Sequence, residues 1–244
     1  MVQKFIEFCK NGDLDKAKEF LRLNPHINIS AQNELVFILV CSNGHLEFAK
    51  WLLSVKPDIN ISAQSDWAFR MACYNGYLEV AKWLLIVKPD IDISINNEDA
   101  FLCACEQGHL EVAKWLLSVK PDIDISIENE ITFLNTCYEG QLKVAKWLLS
   151  VKPDINISMY NHNAFYNACL FGHFEIAKWL QSLRPYLYVI EYDLNGNFSD
   201  FKIREKEEVN WEKRKYALHM SVQEENNLLY HLPIDIAKAV TQFV

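Results

Sequence analysis

No stretch of this chain stays apolar for long. The longest run, Leu35 to Cys41, falls far short of the about 20 residues that a bilayer-crossing helix needs. An isolated block of lysines and arginines that could serve as a basic arm is also missing. The formal net charge is −8, which argues against a nucleic-acid binder, since such proteins carry a basic stripe. The start, Met1-Val2-Gln3-Lys4-Phe5-Ile6-Glu7, puts an acid where a signal peptide needs its apolar stretch. The expectation is a soluble, monomeric protein of the cytoplasm. Neither G-x-S-x-G, nor a phosphate-cradling glycine loop, nor H-E-x-x-H occurs, so the common signatures of hydrolases, nucleotide binders and zinc proteases are lacking. Neither enzymatic activity nor a cofactor nor a metal is expected.

Glycine, proline and cysteine are scarce, seven of each. Six of each stand on one grid. Cys9, Cys41, Cys73, Cys105, Cys137 and Cys169 fall 32 residues apart, as do Gly12, Gly44, Gly76, Gly108, Gly140 and Gly172. Proline recurs from Pro25 to Pro185, phenylalanine from Phe5 to Phe165 and alanine from Ala17 to Ala177 with the same period. A strict period of this length means stacked supersecondary units, each too thin to bury its own apolar face.

The cysteine column could be read as a redox or metal ladder. Neighbouring packed helices lie roughly 8–10 Å apart, whereas a disulfide needs Cα atoms within about 7 Å. Buried cysteine behaves as a small apolar residue, so the column reads as core and should resist thiol reagents until the protein unfolds. Cys103 alone is off the grid, on the variable side of its helix, and is expected to react first. The column Trp51, Trp83, Trp115, Trp147 and Trp179 also reads as packing. His45, His109 and His173 follow turn glycines, but Asp13, Tyr77 and Gln141 hold that place elsewhere, so the histidines share no proton-transfer role.

The fourth unit shows what one repeat is. Residues 97–107 carry Ala100, Phe101, Ala104 and Cys105, a stripe that suits a short helix. Gly108 breaks it with the left-handed backbone of a tight turn. From His109 to Val119 a second helix places Leu110, Ala113, Leu116 and Leu117 on one face. Pro121 disfavours helical geometry at Lys120 and ends that helix. Asp122-Ile123-Asp124-Ile125-Ser126 alternates polar and apolar, which predicts a short extended finger.

Gly108-His109-Leu110-Glu111-Val112-Ala113-Lys114-Trp115-Leu116-Leu117 resembles the G-H-x-E-V-V-x-L-L-L of the ankyrin repeat, and Asp122-Ile123-Asp124 resembles its A-D-V-N. The family's T-P-L-H opening is replaced by Asp99-Ala100-Phe101-Leu102. Its finger glycine is replaced by Asn33, Ser65, Asn97, Asn129 and Asn161 to within one residue; asparagine tolerates left-handed geometry next best. The recurring A-K-W-L-L and K-P-D-I are similar to the ankyrin arrays of giant DNA viruses of amoebae. The resemblance implies an all-α, ankyrin-type helix-turn-helix solenoid of six 32-residue units over residues 1–185, the first a cap. A non-repeat C-terminal segment, residues 186–244, would close the stack.

Function in a periodic protein should lie where the period fails. The residues just before each turn glycine vary most, among them Tyr74, Glu106, Tyr138 with Glu139, and Leu170 with Phe171. Further variable positions hold Trp67, Arg70 and Tyr166. In ankyrin proteins such first-helix and finger positions resemble the recognition surface on the concave side, which implies a protein partner. Tyr, Trp and Arg are also the residue types that carry interface energy. The alternative is neutral variation on a solvated face.

After Pro185 the period ends. Tyr186 to Tyr192 reads as a strand, Asn195-Gly196 as a tight turn, and Lys202 to Lys215 as a charged amphipathic helix. The last stretch, Leu232-Pro233-Ile234-Asp235-Ile236 through Phe243, resembles the first helix of an F-box, L-P-x-E-I-x-x-x-I-x-x-Y-L. That resemblance implies that Leu232, Pro233, Ile236, Val240 and Phe243 touch a Skp-type adaptor of a cullin ubiquitin ligase. An amphipathic helix that only caps the array would show the same spacing.

Overall fold

The computed structural model describes residues 2–125 and 127–204, with the backbone alone at 95–98 and 127–129. Most of the expected charged helix, and the segment holding Leu232, Pro233, Ile236, Val240 and Phe243, lie outside the described residues. The chain divides into two compact units, Met1–His173 and Phe174–Val244.

The first unit is a row of helical hairpins: α1 (Val2–Asn11) with α2 (Leu14–Leu23), α3 (Ala31–Ser42) with α4 (Leu46–Val55), and α5 (Ala63–Tyr74) with α6 (Leu78–Val87). Then follow α7 (Ile95–Glu106) with α8 (Leu110–Val119), α9 (Ile127–Tyr138) with α10 (Leu142–Val151), and α11 (Met159–Leu170). Each first helix lies against the next: α1 on α3, α3 on α5, α5 on α7, α7 on α9 and α9 on α11. The second unit begins with α12 (Phe174–Leu183) and an antiparallel hairpin of β1 (Tyr188–Tyr192) and β2 (Phe198–Ile203). Among the described residues no helix is long and apolar enough to cross a membrane.

The repeated columns make the core. Phe5, Phe37, Phe101, Phe133 and Phe165 are fully buried and Phe69 nearly so. The gridded cysteines and alanines are buried with them, as are Leu52, Leu84, Leu116 and Leu148. The tryptophans are half-buried and tie consecutive units together. Trp83 packs on Phe37 of the preceding unit at 6.4 Å between centroids, Trp115 on Phe69 at 6.3 Å, and Trp147 on Phe101 at 6.2 Å. Outward-facing Lys50, Lys82 and Lys114 pair with Glu47, Glu79 and Glu111 one turn earlier. Such exposed pairs contribute only about 0.2–0.5 kcal/mol each.

The turn glycines have a second reason to be glycine. Gly76 sits at φ +78°, and a Cβ there would lie 2.4 Å from the His109 ring. Over Gly12 lies His45, over Gly44 lies Tyr77, over Gly108 lies Gln141, and over Gly140 lies His173. The residue after each turn glycine therefore roofs the glycine of the unit before it. His45 Nε2 also reaches the Lys10 carbonyl at 3.0 Å. Burial holds the His109 pKa below its ordinary value, against a hydrogen bond to the Tyr74 backbone. This is the common role of the column that its mixed identities concealed: histidine, tyrosine and glutamine all end in a flat polar group.

Two local expectations need correction. The finger is a pair of turns rather than an extended strand: Pro121-Asp122 turns, Ile123-Asp124 has no regular structure, and Ile125 enters a second turn. Ile123 and Ile125 are buried, so the alternation records burial on one side without strand pairing. The first helices also begin with left-handed residues. Gln32, Asn33 and Glu34 have φ of 56°, 57° and 64°. Gln64, Ser65 and Asp66 repeat the feature, as do Tyr160, Asn161 and His162. The asparagine reading captured the middle residue only.

Left-handed geometry costs a non-glycine residue about 1–2 kcal/mol. Changing Ser65 to glycine should therefore stabilise the array by about 0.5–1 kcal/mol after the greater chain entropy of glycine is subtracted. Chemical denaturation would show this as a raised midpoint; a lowered midpoint would mean that the Ser65 side chain holds the turn.

Candidate partner-binding face

The sequence placed the candidate residues at the ends of the first helices, and the stacking of those helices decides which come together. Tyr74 ends α5, Glu106 ends α7, Tyr138 ends α9 and Leu170 ends α11, so one column runs down neighbouring elements. Tyr74 and Tyr138 are 36 % and 39 % exposed, and Leu170 and Phe171 more so. Tyr138 and Phe171 meet edge to face with centroids 4.6 Å apart, the arrangement that aromatic quadrupoles favour. Tyr166 on α11 and Trp67 on α5 are exposed as well. Glu139 is exposed, and the half-buried Glu106 accepts a hydrogen bond from Asn135 on the next first helix at 2.5 Å.

Arg70 stands apart from this set. It is buried at 9 % exposure and is held on all sides by its own chain. Nη1 forms an ion pair with Asp99 of the next unit. Nε donates to the Ser65 carbonyl at 3.0 Å, and Nη2 reaches the Gln64 carbonyl at 3.4 Å. Its guanidinium lies 4.6 Å from the Trp67 ring centroid. Arg70 thus fastens the left-handed turn and props Trp67 at the surface. Sequence reading put it among the exposed contacts because a variable position looks the same whether its partner is a ligand or the adjoining repeat.

Some variation just before the turn glycine has a local cause. Asn43 Nδ2 donates to the Leu39 carbonyl at 2.7 Å, and Asn75 Nδ2 to the Met71 and Ser42 carbonyls at 3.1 and 2.9 Å. These amides satisfy carbonyls that a helix end leaves open.

The thiols behave as a buried set. Burial raises the pKa of Cys41, Cys73, Cys105 and Cys137, and pushes Cys9 and Cys169 up to about 12. Cys103 is half-buried, yet its thiol is also pushed up to about 12, first by burial and then by the charge of Asp99. Its Sγ donates to Asp99 Oδ1 at 3.4 Å. The thiolate is the reacting form, so Cys103 should be sluggish in the folded protein, while its half-exposure, against six buried thiols, keeps it the first expected to react. A thiol titration at neutral pH should find no fast-reacting cysteine among the seven in the folded protein and all of them in denaturant. A fast native equivalent at Cys103 would contradict the Asp99 contact.

A single-layer stack of helical hairpins at this period, with turn glycines and finger turns between them, defines a helical-repeat solenoid. The family model for ankyrin repeats matches in three overlapping copies, at residues 5–99, 69–159 and 101–189. The chain belongs to the ankyrin-repeat family. A comparison with curated proteins finds no match. Ankyrin repeats mediate protein–protein interaction, and the fold is in general a non-enzymatic scaffold.

Proposed function

We propose that this chain captures a partner protein through the face formed by its first helices. Trp67, Tyr74, Tyr138, Tyr166, Leu170 and Phe171 supply the apolar contact, with Glu106 and Glu139 among them. The observation that carries this reading is the set of exposed aromatic groups at positions the repeat does not need, with Tyr138 on α9 next to Tyr166 and Phe171 at the adjoining α11, and Trp67 and Tyr74 on α5 one first helix further along. Single exposed apolar groups are common on any protein; a contiguous set marks an interaction surface. Arg70 serves the site from beneath.

The test is the double change Tyr74→Ala and Tyr138→Ala. Anchoring aromatics are worth about 2 kcal/mol or more each, so affinity for the partner should fall by roughly three orders of magnitude. The melting temperature should stay nearly unchanged, because neither ring belongs to the buried columns. A partner held equally well by the double variant would move the site elsewhere.

The alternative reading, a substrate adaptor for a cullin ubiquitin ligase, rests on Leu232, Pro233, Ile236, Val240 and Phe243. Changing Ile236 and Val240 to Asp in the full chain should abolish retention of a Skp-type adaptor if that reading holds, and leave partner capture by the array intact.

A further inference from the structure

The charge of the array is sorted by element. The five stretches running from finger through first helix, residues 27–43, 59–75, 91–107, 123–139 and 155–171, hold ten carboxylates and one lysine or arginine, Arg70. The turn and second-helix stretches between them, 44–58, 76–90, 108–122 and 140–154, hold seven carboxylates against nine lysines. Arg70 is itself spent on Asp99. Eight of the ten carboxylates fall in 91–107 and 123–139 and none in 155–171, so the anionic part of the first-helix side is centred on Glu106, Tyr138 and Glu139, between the aromatic groups of α5 and those of α11.

Within that field carboxylates stand at two kinds of position. Glu106 and Glu139 lie in the columns of Tyr74, Tyr138 and Phe171, and exposed Asp92 and Asp124 stand in the fingers. In earlier units, Glu34 on α3 and Asp66 on α5 are more than nine-tenths buried. Glu34 Oε1 accepts from the Asn60 backbone at 3.2 Å, but Glu34 Oε2 and Asp66 Oδ1 have no hydrogen-bond partner among the described residues. Aromatic faces attract cations, with tryptophan and tyrosine among the best. The chain already binds one cation in this way: the Arg70 guanidinium rests over Trp67 and pairs with Asp99.

We propose that the segment of the partner protein seated on this face is basic, a stretch rich in lysine and arginine interleaved with apolar residues. The inference rests on the reading of this face as the recognition surface. The partner's apolar side chains pack among Tyr138, Phe171 and Leu170, while its cations lie over tyrosine rings and against Glu106 and Glu139. Long-range attraction raises the encounter rate and rejects acidic partners. Nucleic acid and anionic membranes are repelled by the same field.

The full chain is titrated by fluorescence anisotropy with a labelled peptide repeating Arg-Leu-Lys-Ser, and with counterparts in which Gln or Glu replaces both basic residues. The basic peptide should bind at least tenfold more tightly than the Gln peptide, and the Glu peptide should not bind. Raising salt from about 50 to about 500 mM should remove most of that preference. Glu106→Gln with Glu139→Gln should weaken the basic peptide severalfold without lowering the melting temperature, since glutamine keeps an acceptor for Asn135. Equal binding of the basic and Gln peptides overturns the proposal, as does a preference untouched by the double Gln variant. A cellular partner that Tyr74→Ala with Tyr138→Ala releases, but whose binding neither salt nor the Gln variant alters, overturns the basic segment and leaves the face standing. A partner indifferent to the tyrosine changes sinks both readings.

Discussion

Replacing Phe101 by alanine should destabilise the array by about 3–5 kcal/mol, the cost of emptying a buried aromatic site. The ring is fully buried, and it is also the surface on which Trp147 of the following unit packs. The change therefore opens a cavity within one unit and loosens the seam to the next. In a stack stabilised by nearest neighbours, such a weak seam divides the cooperative unit. The melting temperature should drop by about 6–20 °C for a domain of this size, and the circular dichroism transition should broaden. A variant that melts within about 2 °C of the parent would show that Phe101 is not a core residue.

Gly76→Val should be comparably damaging, by a different route. The backbone at φ +78° costs valine about 1–2 kcal/mol by itself. The new Cβ would also lie 2.4 Å from His109 Nδ1, so the ring must leave and give up its hydrogen bond to Tyr74. The two contributions can be separated. At Gly172, with φ +78° and no atom of the described residues within 4 Å of a built Cβ, the same substitution should show the backbone cost alone. Introducing Gly76→Val into a His109→Ala background should reduce its cost to the Gly172 value. Full cost in that background would mean that the ring is not what the valine meets.

These two sites mark how far the sequence could be read. Phe101, Cys105, Ala113 and Leu116 each repeat one environment with one residue type, so a column of identical letters is enough to place them inside. The turn glycines were legible for the same reason. Contacts between different columns were not. His109 over Gly76, Arg70 with Asp99, and Asn135 with Glu106 each join residues of successive units. Nothing within one column announces such a pair. Asp99 illustrates the consequence: its ion pair turned Arg70 from an expected surface contact into an internal brace, and it adds to the burial that pushes the Cys103 thiol up. The aromatic row was half legible. Its members showed as departures from the period, but their approach, such as Tyr138 to Phe171, depends on how closely first helices stack.

Because the turns from Gly12 to Gly140 are each finished by a side chain from the unit that follows, this part of the array can change length only in whole steps. A duplicated unit, wherever it is inserted, roofs the glycine before it and is roofed by the unit after it, so both new joints copy existing ones. A duplication that is not a whole number of units shifts the register, so the roofing residue no longer falls over the glycine. Insertions and deletions of 32 residues are thus the nearly neutral moves open to this chain, and each one adds or removes a rung of the exposed face without redesigning the joints on either side.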